Sequence, residues 1–386
     1  MRIGFFSDTY LPIAHGIENS MEWFRKDLES RGHQVTVFAP FYPGYKDENP
    51  NVIRFRSVRI LLNRNVRLTF HTPKNSSTRI SDIPLDIIHA HSTFSLGLLG
   101  RKIARAKNIP FVYTHHSNYF EYAKLFYPER VVMPWIAMKY TKWFCNRADG
   151  IVAPTLKMQH SLEGIGATKP ITVIPTGLTY FPTYSPDARA RIRKRLHITE
   201  NAAVFICVGR LEQSKNIQYL LEAFKIAKQN TALKDAILIV VGQGPDRERL
   251  EKIASALPAG SVHFAGRVPN GELDAYYYAA DVFSFASWIT ETQCIVIAEA
   301  LSHALPVLVM KDELFEQAIT HGENGFLAEK NNPADFAGYM VKLATEQGLR
   351  KKLSQNALQS SRQFAQNLQT DKLLAFYNKL SQAKQT

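Results

Sequence analysis

Short, almost uninterrupted apolar runs alternate with amphipathic stretches along the whole chain. The first half contains the runs RIGFF, QVTVFA, DIIHA, PFVYT, GIVAP and ITVIP, and the second half contains VFICVG, AILIVVG, SVHFAG, DVFSFA and PVLVM. Apolar runs without polar alternation are typical of parallel strands that are buried on both faces. Because parallel strands need crossover helices, the alternation predicts doubly wound α/β domains.

The rhythm is interrupted at TGLTYFPTYSPDARARIRKR, residues 176–195, where proline and turn residues precede a run of charge. A chain of 386 residues is also too long for one ordinary core. We therefore predict an N-terminal Rossmann-like domain over residues 1–180 and a C-terminal one over residues 181–365. The final helix, at about 366–386, can pack back on the N-terminal domain.

Cysteine usage and targeting signals point to an intracellular enzyme. Cys145, Cys207 and Cys294 lie far apart, with no CxxC pair, so neither a disulfide framework nor a zinc site is expected. No His or acidic cluster has the spacing of metal ligands, and we expect no metal. The N-terminal apolar run is too short for a signal peptide, and no run approaches the ~20 residues of a membrane span. A reducing, cytoplasmic location is expected.

The formal net charge of +13 is uneven. Residues 1–182 contain 23 Lys and Arg against 13 Asp and Glu, whereas the remaining residues contain 24 against 21. The N-terminal half therefore either meets an anionic partner or is basic for solubility alone.

Two cations follow the first apolar run of the second half. Arg210 and Lys215 lie five positions apart in a loop between a strand and a helix. Ligands of open α/β sheets bind beyond the carboxyl ends of the strands, so this pair can hold a diphosphate at a helix N-terminus. The alternative is two solvated surface charges.

Glycines also follow the next apolar run, in VVGQGPDRERL. A dinucleotide fingerprint would need glycine at position 247, where this chain has Arg247. A tight turn before Pro245 explains the glycines without a ligand. A supporting role for Gly242 beside a nucleotide stays open.

Two adjacent histidines, His115 and His116, end another apolar run. Neighbouring side chains in a strand point to opposite faces, so one of them is expected to face the ligand and the other the core. Their spacing matches no metal motif.

Two carboxylates, Glu291 and Glu299, lie eight positions apart and flank an apolar helical stretch. If the helix begins near Thr292, its first N–H groups, around residues 293–296, lie between the two carboxylates and favour negative charge. This order of charges suits a nucleoside diphosphate sugar. Two surface acids on an amphipathic helix are the alternative.

Taken together, FSDTYLPIAHGI, VGRLEQSKN, YYYAADVFSFAS, ETQCIVIAEALSHALPV and ENGFLAE resemble the retaining glycosyltransferases of family 4 in order and spacing. The resemblance spans nearly the whole chain. It implies the GT-B architecture, which has two facing Rossmann-like domains with a cleft between them. The N-terminal domain of such enzymes takes the acceptor, and the C-terminal domain takes the nucleotide sugar.

The resemblance also implies roles for individual residues. Arg210 and Lys215 match the residues that hold the diphosphate, Glu299 matches the one that takes the ribose, and Glu291 matches the one that reaches the donor sugar. His116 matches the histidine that lines the donor-sugar site. The catalytic set is therefore His116, Arg210, Lys215 and Glu291. The donor-binding set is Gly16, Gly209, Arg210, Lys215, Gly242, Gln293, Cys294, Ile295, Val296 and Glu299. Two positions depart from the family, because Cys294 and Ala304 stand where glycine is usual.

Within the family, FSDTYLPIAHGI and YTHHSNYFEY are similar to the diacylglycerol glucosyltransferases. The expected reaction is transfer of a hexose, glucose by this likeness, from a UDP-sugar to a membrane lipid with retention and without a metal or other cofactor. No nucleic-acid partner is expected. A glycosyltransferase with a soluble acceptor, a nucleotide-sugar epimerase and a non-catalytic nucleotide-sugar-binding protein are the alternatives.

The expectation of a lipid acceptor at an anionic membrane surface, with peripheral attachment to the inner face, rests on the basic N-terminal half. Aromatic and apolar residues interleave with cations in residues 119–143, and rings and long cations suit a membrane interface. A helix with its apolar face in the core would also explain Trp135, Ile136 and Trp143. Two groups of cations accompany this segment: Arg54, Arg56, Arg59, Arg64 and Arg67, then Arg101, Lys102, Arg105 and Lys107.

Overall fold

The computed structural model describes residues 1–13, 16–60, 63–74, 80–118, 132–287 and 292–385, and for residues 60, 63–66 and 270 it describes the backbone alone. The chain divides into two compact units. Unit 1 comprises Met1–Thr179 and Gln366–Thr386, and unit 2 comprises Tyr180–Ala365.

Unit 1 is an α/β unit. Its strands are β1 Arg2–Phe6, β2 Gln34–Pro40, β3 Val52–Ile60, β4 Asn63–Pro73, β5 Ile87–Ala90, β6 Phe111–Thr114, β7 Gly150–Ala153 and β8 Ile171–Val173. Its described helices are α1 Gly16–Ser30, α2 Ser95–Lys107, α3 Val132–Cys145, α4 Leu156–Gly164 and, at the end of the chain, α13 Gln366–Gln385.

Within the described residues these strands form a single sheet with the order β4-β3-β2-β1-β5-β6-β7-β8. All neighbours are parallel except β3 and β4, which are antiparallel. The apolar runs predicted as strands are confirmed. The edge pair β3–β4 was missed because arginines alternate with apolar residues in VIRFRSVRI, so this segment lacks a continuous apolar run.

Helices cover both faces of this sheet. One face packs Phe6, Phe38 and Phe144 under the helices that follow β5 to β7, and the rings of Phe6 and Phe38 stack 4.1 Å apart. The other face packs α1 and α13 over β1, β2 and β5. Helix α13 lies so close to β7 that a Cβ on Gly150 would come within 2.5 Å of Phe376. Glycine therefore allows the last helix to complete the core of unit 1.

Unit 2 repeats the architecture. Its strands are β9 Val204–Val208, β10 Ile237–Val241, β11 Val262–Gly266, β12 Val282–Phe285, β13 Val307–Met310 and β14 Gly325–Ala328. Its helices are α5 Pro186–Arg195, α6 Ile217–Ala227, α7 Arg247–Ala254, α8 Asn270–Ala279, α9 Ile295–Ser302, α10 Glu313–Glu316, α11 Pro333–Thr345 and α12 Gln347–Ser361.

In the described part of unit 2 the sheet has the order β11-β10-β9-β12-β13-β14, and every neighbouring pair is parallel. Because β10, β9 and β12 are neighbours and run in the same direction, the loops that follow them meet at one edge. Those loops and the helices after β9 and β12 contain the predicted cations, Gly242 and Glu299.

Candidate functional site

The loops after β9 and β10 are hydrogen-bonded to each other. The amide of Gly209 donates to the carbonyl of Val241 at 3.0 Å, and the amide of Leu211 donates to the carbonyl of Gln243 at 3.0 Å. Gly242 has φ +140°, and a Cβ there would lie 1.8 Å from the carbonyl oxygen of Gly209. The close approach of the two loops therefore requires glycine at 242, whether or not a ligand binds.

Arg210 and Lys215 lie at this edge in different environments. Arg210 is half-exposed, and its Nε lies 3.2 Å from the Glu212 carboxylate. Lys215 ends the short 3₁₀ turn Gln213–Lys215 and is half-buried. Burial raises the pKa of the Cys207 thiol to about 12, and the nearby Lys215 ammonium opposes that shift. Lys215 thus lies over the end of β9, whereas Arg210 reaches outward.

The loop after β12 also reaches this edge, since the hydroxyl of Ser287 donates to the carbonyl of Ser214 at 3.0 Å. Glu291 lies outside the described residues. Helix α9 begins at Ile295 and not near Thr292, so the amides of Ile295 and Val296 belong to its first turn and Gln293 precedes it. The prediction therefore began the helix about three residues too early.

Cys294 is the residue immediately before α9. Its φ of −103° and ψ of 85° are accessible to any residue, and its side chain makes no capping hydrogen bond. The backbone therefore does not require glycine here.

Glu299 lies in the second turn of α9, where it faces α8. Its Oε2 accepts a hydrogen bond of 2.9 Å from the hydroxyl of Tyr277, a fully buried residue of α8. Burial raises the pKa of the Glu299 carboxyl, the Tyr277 hydrogen bond opposes this, and Asp274 adds to the rise. The nearby Cys207 thiol adds to the rise in the pKa of the Tyr277 hydroxyl that burial causes. Cys207 thus lies near both Lys215 and Tyr277, which brings the predicted cation and carboxylate to one region of unit 2.

A group of buried histidines lies in unit 1. His91 Nδ1 and His116 Nε2 are 2.9 Å apart, and His89 Nε2 lies 2.6 Å from the hydroxyl of Thr114. Together they line a small cavity of about 10 Å³, the space of one water molecule. Burial lowers the pKa of His89 to about 3 and that of His116 to about 4. These imidazoles are therefore neutral at pH 7.

The two adjacent histidines differ in burial. His115 is 1% exposed and lies 2.8 Å through Nδ1 from the Tyr113 hydroxyl, so it is a core residue. His116 is half-buried and pairs with His91.

Gly16 is the first residue of α1, and residues 14–15 before it lie outside the described part of the chain. A Cβ on Gly16 would meet no atom within 4 Å. Packing within the protein therefore does not explain glycine at this position, in contrast to Gly242.

Sequence reasoning did not identify Tyr277 as the hydrogen-bond partner of Glu299, or His91 as the partner of His116. Tyr277 belongs to the quoted YYY run, but sequence does not say which tyrosine faces Glu299. His91 follows His89 by two positions in the strand run IIHAH, a spacing that places both on one face. Among the described residues, no group of three or more His, Cys, Asp or Glu side chains is arranged to hold a metal.

A second surface, on α3, is formed by apolar and basic side chains. We call it the α3 patch: Val132, Met133, Trp135, Ile136, Lys139, Trp143 and Arg147. Trp135 is 55% exposed, Ile136 is 47% exposed and Trp143 is 38% exposed. The interpretation of this face as core is therefore wrong.

Cations flank the rings of the α3 patch. Lys139 Nζ lies 5.5 Å from the ring centre of Trp135, and the Arg147 guanidinium lies 4.4 Å from that of Trp143. Burial lowers the pKa of Arg101 on α2, and the nearby charges of Arg147 and Arg105 lower it further. The basic group on α2 therefore adjoins the α3 patch.

The first group of cations, which begins at Arg54, is less available to an anionic surface than the sequence suggested. Arg54 is bonded to Asp47 and to the carbonyls of Leu11 and Pro40. Its buried position reflects a structural role. Arg56 and Arg59 are exposed on β3.

Comparison with known proteins agrees with this architecture. A family model described as "Glycosyltransferase Family 4" matches residues 14–180, and one described as "Glycosyl transferases group 1" matches residues 188–360. The α-monoglucosyldiacylglycerol synthase of Acholeplasma laidlawii is 30% identical over 383 residues, which cover 95% of this chain and 94% of that protein. The chain belongs to glycosyltransferase family 4. The synthase of the same name from Streptococcus pneumoniae is 30% identical over 84% of this chain and 76% of its own length.

Solved structures of this glycosyltransferase fold match both units. Sucrose-phosphate synthase from Thermosynechococcus elongatus superposes with a TM-score of 0.79 at 18% identity, over 99% of each chain. Anabaena HepE in complex with UDP gives a TM-score of 0.77 at 18% identity, over 98% of this chain and 100% of its own. The family 4 chain therefore has the GT-B fold. None of its described helices combines the length and apolar character needed to cross a bilayer.

One departure of this glycosyltransferase from its family, Ala304, is expected to lower the free energy of unfolding. Ala304, where glycine is usual, has φ +57° in the left-handed region that disfavours a Cβ. We expect Ala304→Gly to raise the free energy of unfolding by about 0.5–1 kcal/mol, because relief of strain exceeds the added chain entropy. Urea denaturation measures this. Ala190→Gly, in the exposed middle of α5, is the control and should lower it by about 1 kcal/mol. A loss at position 304 as large as at 190 would contradict the expectation.

Proposed function

We propose that this glycosyltransferase moves glucose from UDP-glucose to diacylglycerol, with retention of the anomeric configuration. Two α-monoglucosyldiacylglycerol synthases at 30% identity support this choice of sugar and acceptor. HepE, which shares the fold, was solved with UDP and with UDP-glucose. The observation that carries the lipid acceptor is the exposed α3 patch.

The donor contacts follow the family motifs, and the position of Lys215 and Glu299 near Cys207 and Tyr277 in unit 2 supports them. Glu299 accepts hydrogen bonds from the ribose, and Lys215 with Arg210 holds the diphosphate. The amides of Ile295 and Val296, in the first turn of α9, add positive potential. Glu291 approaches the sugar. Gly16 leaves room for a phosphate where packing alone would permit a side chain, and His116 contacts the sugar as a neutral imidazole.

The leaving diphosphate is stabilised by protein cations without a bound metal. Negative charge develops on the diphosphate as the glycosidic bond breaks, and preorganised positive groups stabilise it. A double displacement would need a carboxylate nucleophile on the face of the sugar opposite the leaving diphosphate. The family motifs supply no carboxylate for that role. We therefore favour attack on the same face, with the departing phosphate accepting the proton of the acceptor hydroxyl.

The acceptor is reached by peripheral attachment through the α3 patch. Tryptophan rings and long cations suit the interface between headgroups and acyl chains. The basic residues of α2 adjoin this patch, and each cation near an anionic surface contributes about 1 kcal/mol. Apolar insertion and electrostatic attraction therefore act together, on the cytoplasmic face where the donor is available.

We expect the double variant Trp135→Ala/Trp143→Ala to bind vesicles about tenfold more weakly or worse, because two partly exposed rings no longer enter the interface. Co-sedimentation with vesicles of increasing anionic lipid content, at low and high salt, measures this. Native binding should rise with anionic lipid and fall with salt. Leu368→Ala, which removes a 44% exposed side chain from α13, is the control and should bind as the native protein does. Equal binding of the native and double-variant proteins would exclude the α3 patch as the membrane contact.

Product analysis tests the reaction itself. The protein is incubated with UDP-glucose and other nucleotide sugars, in the presence of diacylglycerol vesicles or soluble acceptors, and products are identified by mass spectrometry and by NMR of the anomeric proton. An α-glucosyl diacylglycerol is expected. Transfer only to a soluble acceptor would overturn the lipid assignment. Soluble acceptors are included because one relative, at 25% identity, is named D-inositol 3-phosphate glycosyltransferase. An epimerised or merely bound sugar would overturn transfer.

A further inference from the structure

Three consecutive tyrosines of α8 have different hydroxyl partners. The Tyr276 hydroxyl lies 2.6 Å from Arg195 Nη2, and the Tyr278 hydroxyl donates to the carbonyl of Thr183 at 2.7 Å. Only the Tyr277 hydroxyl, among these three, donates to the Glu299 carboxylate. The sequence YYY thus contains one residue directed at the proposed ribose contact and two directed elsewhere.

We propose that Tyr277 is a positioning residue for the donor: its hydroxyl orients the Glu299 carboxylate so that Oε1 accepts the ribose hydroxyls. This inference rests on the proposed role of Glu299. In the described part of the chain, the Tyr277 hydroxyl is the hydrogen-bond partner of that carboxylate. One oxygen is thereby fixed, and the other is left to a ligand.

The surroundings of Tyr277 hold its ring in place. Its side chain is 1% exposed, and its ring stacks on the imidazole of His303 with centres 4.5 Å apart and planes at 27°. His303 is itself fixed at both nitrogens, with Nδ1 2.7 Å from the Glu299 carbonyl and Nε2 3.0 Å from the Asp274 carboxylate. The hydroxyl of Tyr180 donates to the same Asp274 at 2.7 Å. A buried ring clamped in this way presents its hydroxyl in one direction.

The hydrogen bond also acts on the charge of Glu299. A ribose hydroxyl donates to a carboxylate better than to a carboxylic acid, since the ionised group accepts at both oxygens. Burial and Asp274 raise the pKa of Glu299, and Tyr277 opposes the rise. Among the described residues, Tyr277 and Asp274 of α8 and Tyr180 at the start of unit 2 act on this carboxylate, and His303, directly after α9, is bonded to the Glu299 backbone carbonyl. Among them, the Tyr277 hydroxyl stabilises the ionised form.

The test compares Tyr277→Phe with Tyr276→Phe and Tyr278→Phe, which remove the same atom from neighbouring positions. UDP and 2′-deoxy-UDP binding is measured by titration calorimetry, and turnover is measured with UDP-glucose. Tyr277→Phe should weaken UDP binding about tenfold and raise KM, with kcat at saturating donor within about twofold. The same substitution should change 2′-deoxy-UDP binding much less. The two control variants should bind both ligands as the native protein does.

UDP affinity measured over a range of pH gives a quantity that a packing defect would not change, the pH at which the affinity falls. UDP affinity should fall as the pH drops through the pKa of Glu299, and this fall should occur at higher pH in Tyr277→Phe than in the native protein. The direction follows because loss of the hydroxyl removes the group that lowers this pKa. In Glu299→Gln the contribution of this carboxyl to the pH dependence should disappear, so that only the titration of the UDP phosphate remains, and adding Tyr277→Phe should have little further effect on UDP affinity.

The outcomes separate the positioning role of Tyr277 from the ribose-binding role of Glu299. If Glu299→Gln weakens UDP binding but Tyr277→Phe does not, the positioning role is wrong and the role of Glu299 stands. If all three tyrosine variants weaken binding equally, the effect is general packing, and the positioning role is again wrong. If the native protein binds no UDP, or Glu299→Gln has no effect, the proposed role of Glu299 falls and this inference with it. Should Tyr277→Phe fail to fold, a native protein that binds UDP and 2′-deoxy-UDP equally from pH 5 to 8 would still overturn the proposal.

Discussion

Lys215→Ala is expected to lower turnover by a factor on the order of 10²–10³, the usual cost of losing one preorganised charge at a developing anion. Lys215 is half-buried over the end of β9, close enough to Cys207 to affect its pKa. Its ammonium is therefore held near the loop edge. Steady-state kinetics with saturating UDP-glucose measure the effect.

Two comparisons sharpen the test of Lys215. Lys225→Ala, on the exposed face of α6, removes the same charge away from the site and should leave turnover unchanged. Arg210→Ala should have a smaller effect than Lys215→Ala, because the Arg210 guanidinium is 53% exposed and already pairs with Glu212. A native-like kcat for Lys215→Ala would remove this lysine from the mechanism.

Acidification from pH 7 to pH 5 should lower the free energy of unfolding by several kcal/mol. His89, His91 and His115 are at most 3% exposed in unit 1. Burial lowers the pKa of His89 and His115 to about 3, and it also lowers that of His91. In the unfolded chain these imidazoles bind protons below about pH 6.5, whereas in the folded state His89 and His115 stay neutral until about pH 3, and burial keeps His91 neutral well below its usual pKa.

The free energy of unfolding falls as the pH falls, because the unfolded state binds more protons than the folded state in this pH window. Stability is therefore full above about pH 6.5 and falls toward about pH 3, at roughly 1.4 kcal/mol per pH unit for each histidine. By pH 5 His89 and His115 together cost roughly 4 kcal/mol, a large part of an ordinary domain's stability, and His91 adds to this cost.

Urea denaturation at intervals from pH 8 to pH 5 measures this slope. His115→Phe should reduce the slope by one proton even if it changes the absolute stability, since the Tyr113 hydroxyl loses its partner. His160→Gln changes an exposed histidine and is the control, with an unchanged slope. A flat profile between pH 6.5 and 5 would show that these imidazoles are not neutral when buried.

The sequence by itself determined the strands and the order of the site residues. A parallel strand covered on both faces excludes polar side chains, so runs such as VFICV and AILIVV identify β9 and β10 without reference to the rest of the chain. The carboxyl ends of such strands meet at one edge, which placed Arg210, Lys215 and Glu299 in one region of unit 2. The alternating pattern of β3 escaped this reasoning, because a strand of the antiparallel pair at the rim of the sheet, next to the edge strand β4, need not be apolar on both faces.

The tertiary structure alone decided what each side chain faces. Trp135 and Trp143 follow a helical pattern that suits a core, yet they are exposed because no described element covers that face of α3. Arg54 resembles a surface cation in sequence, yet it is buried against Asp47. Tyr277 differs from Tyr276 and Tyr278 only through the packing of α8 against α9, which turns one hydroxyl of three toward Glu299. Local sequence determines periodicity and propensity, but exposure and hydrogen-bond partners arise from contacts between residues distant along the chain, and those exist only once the helices have packed.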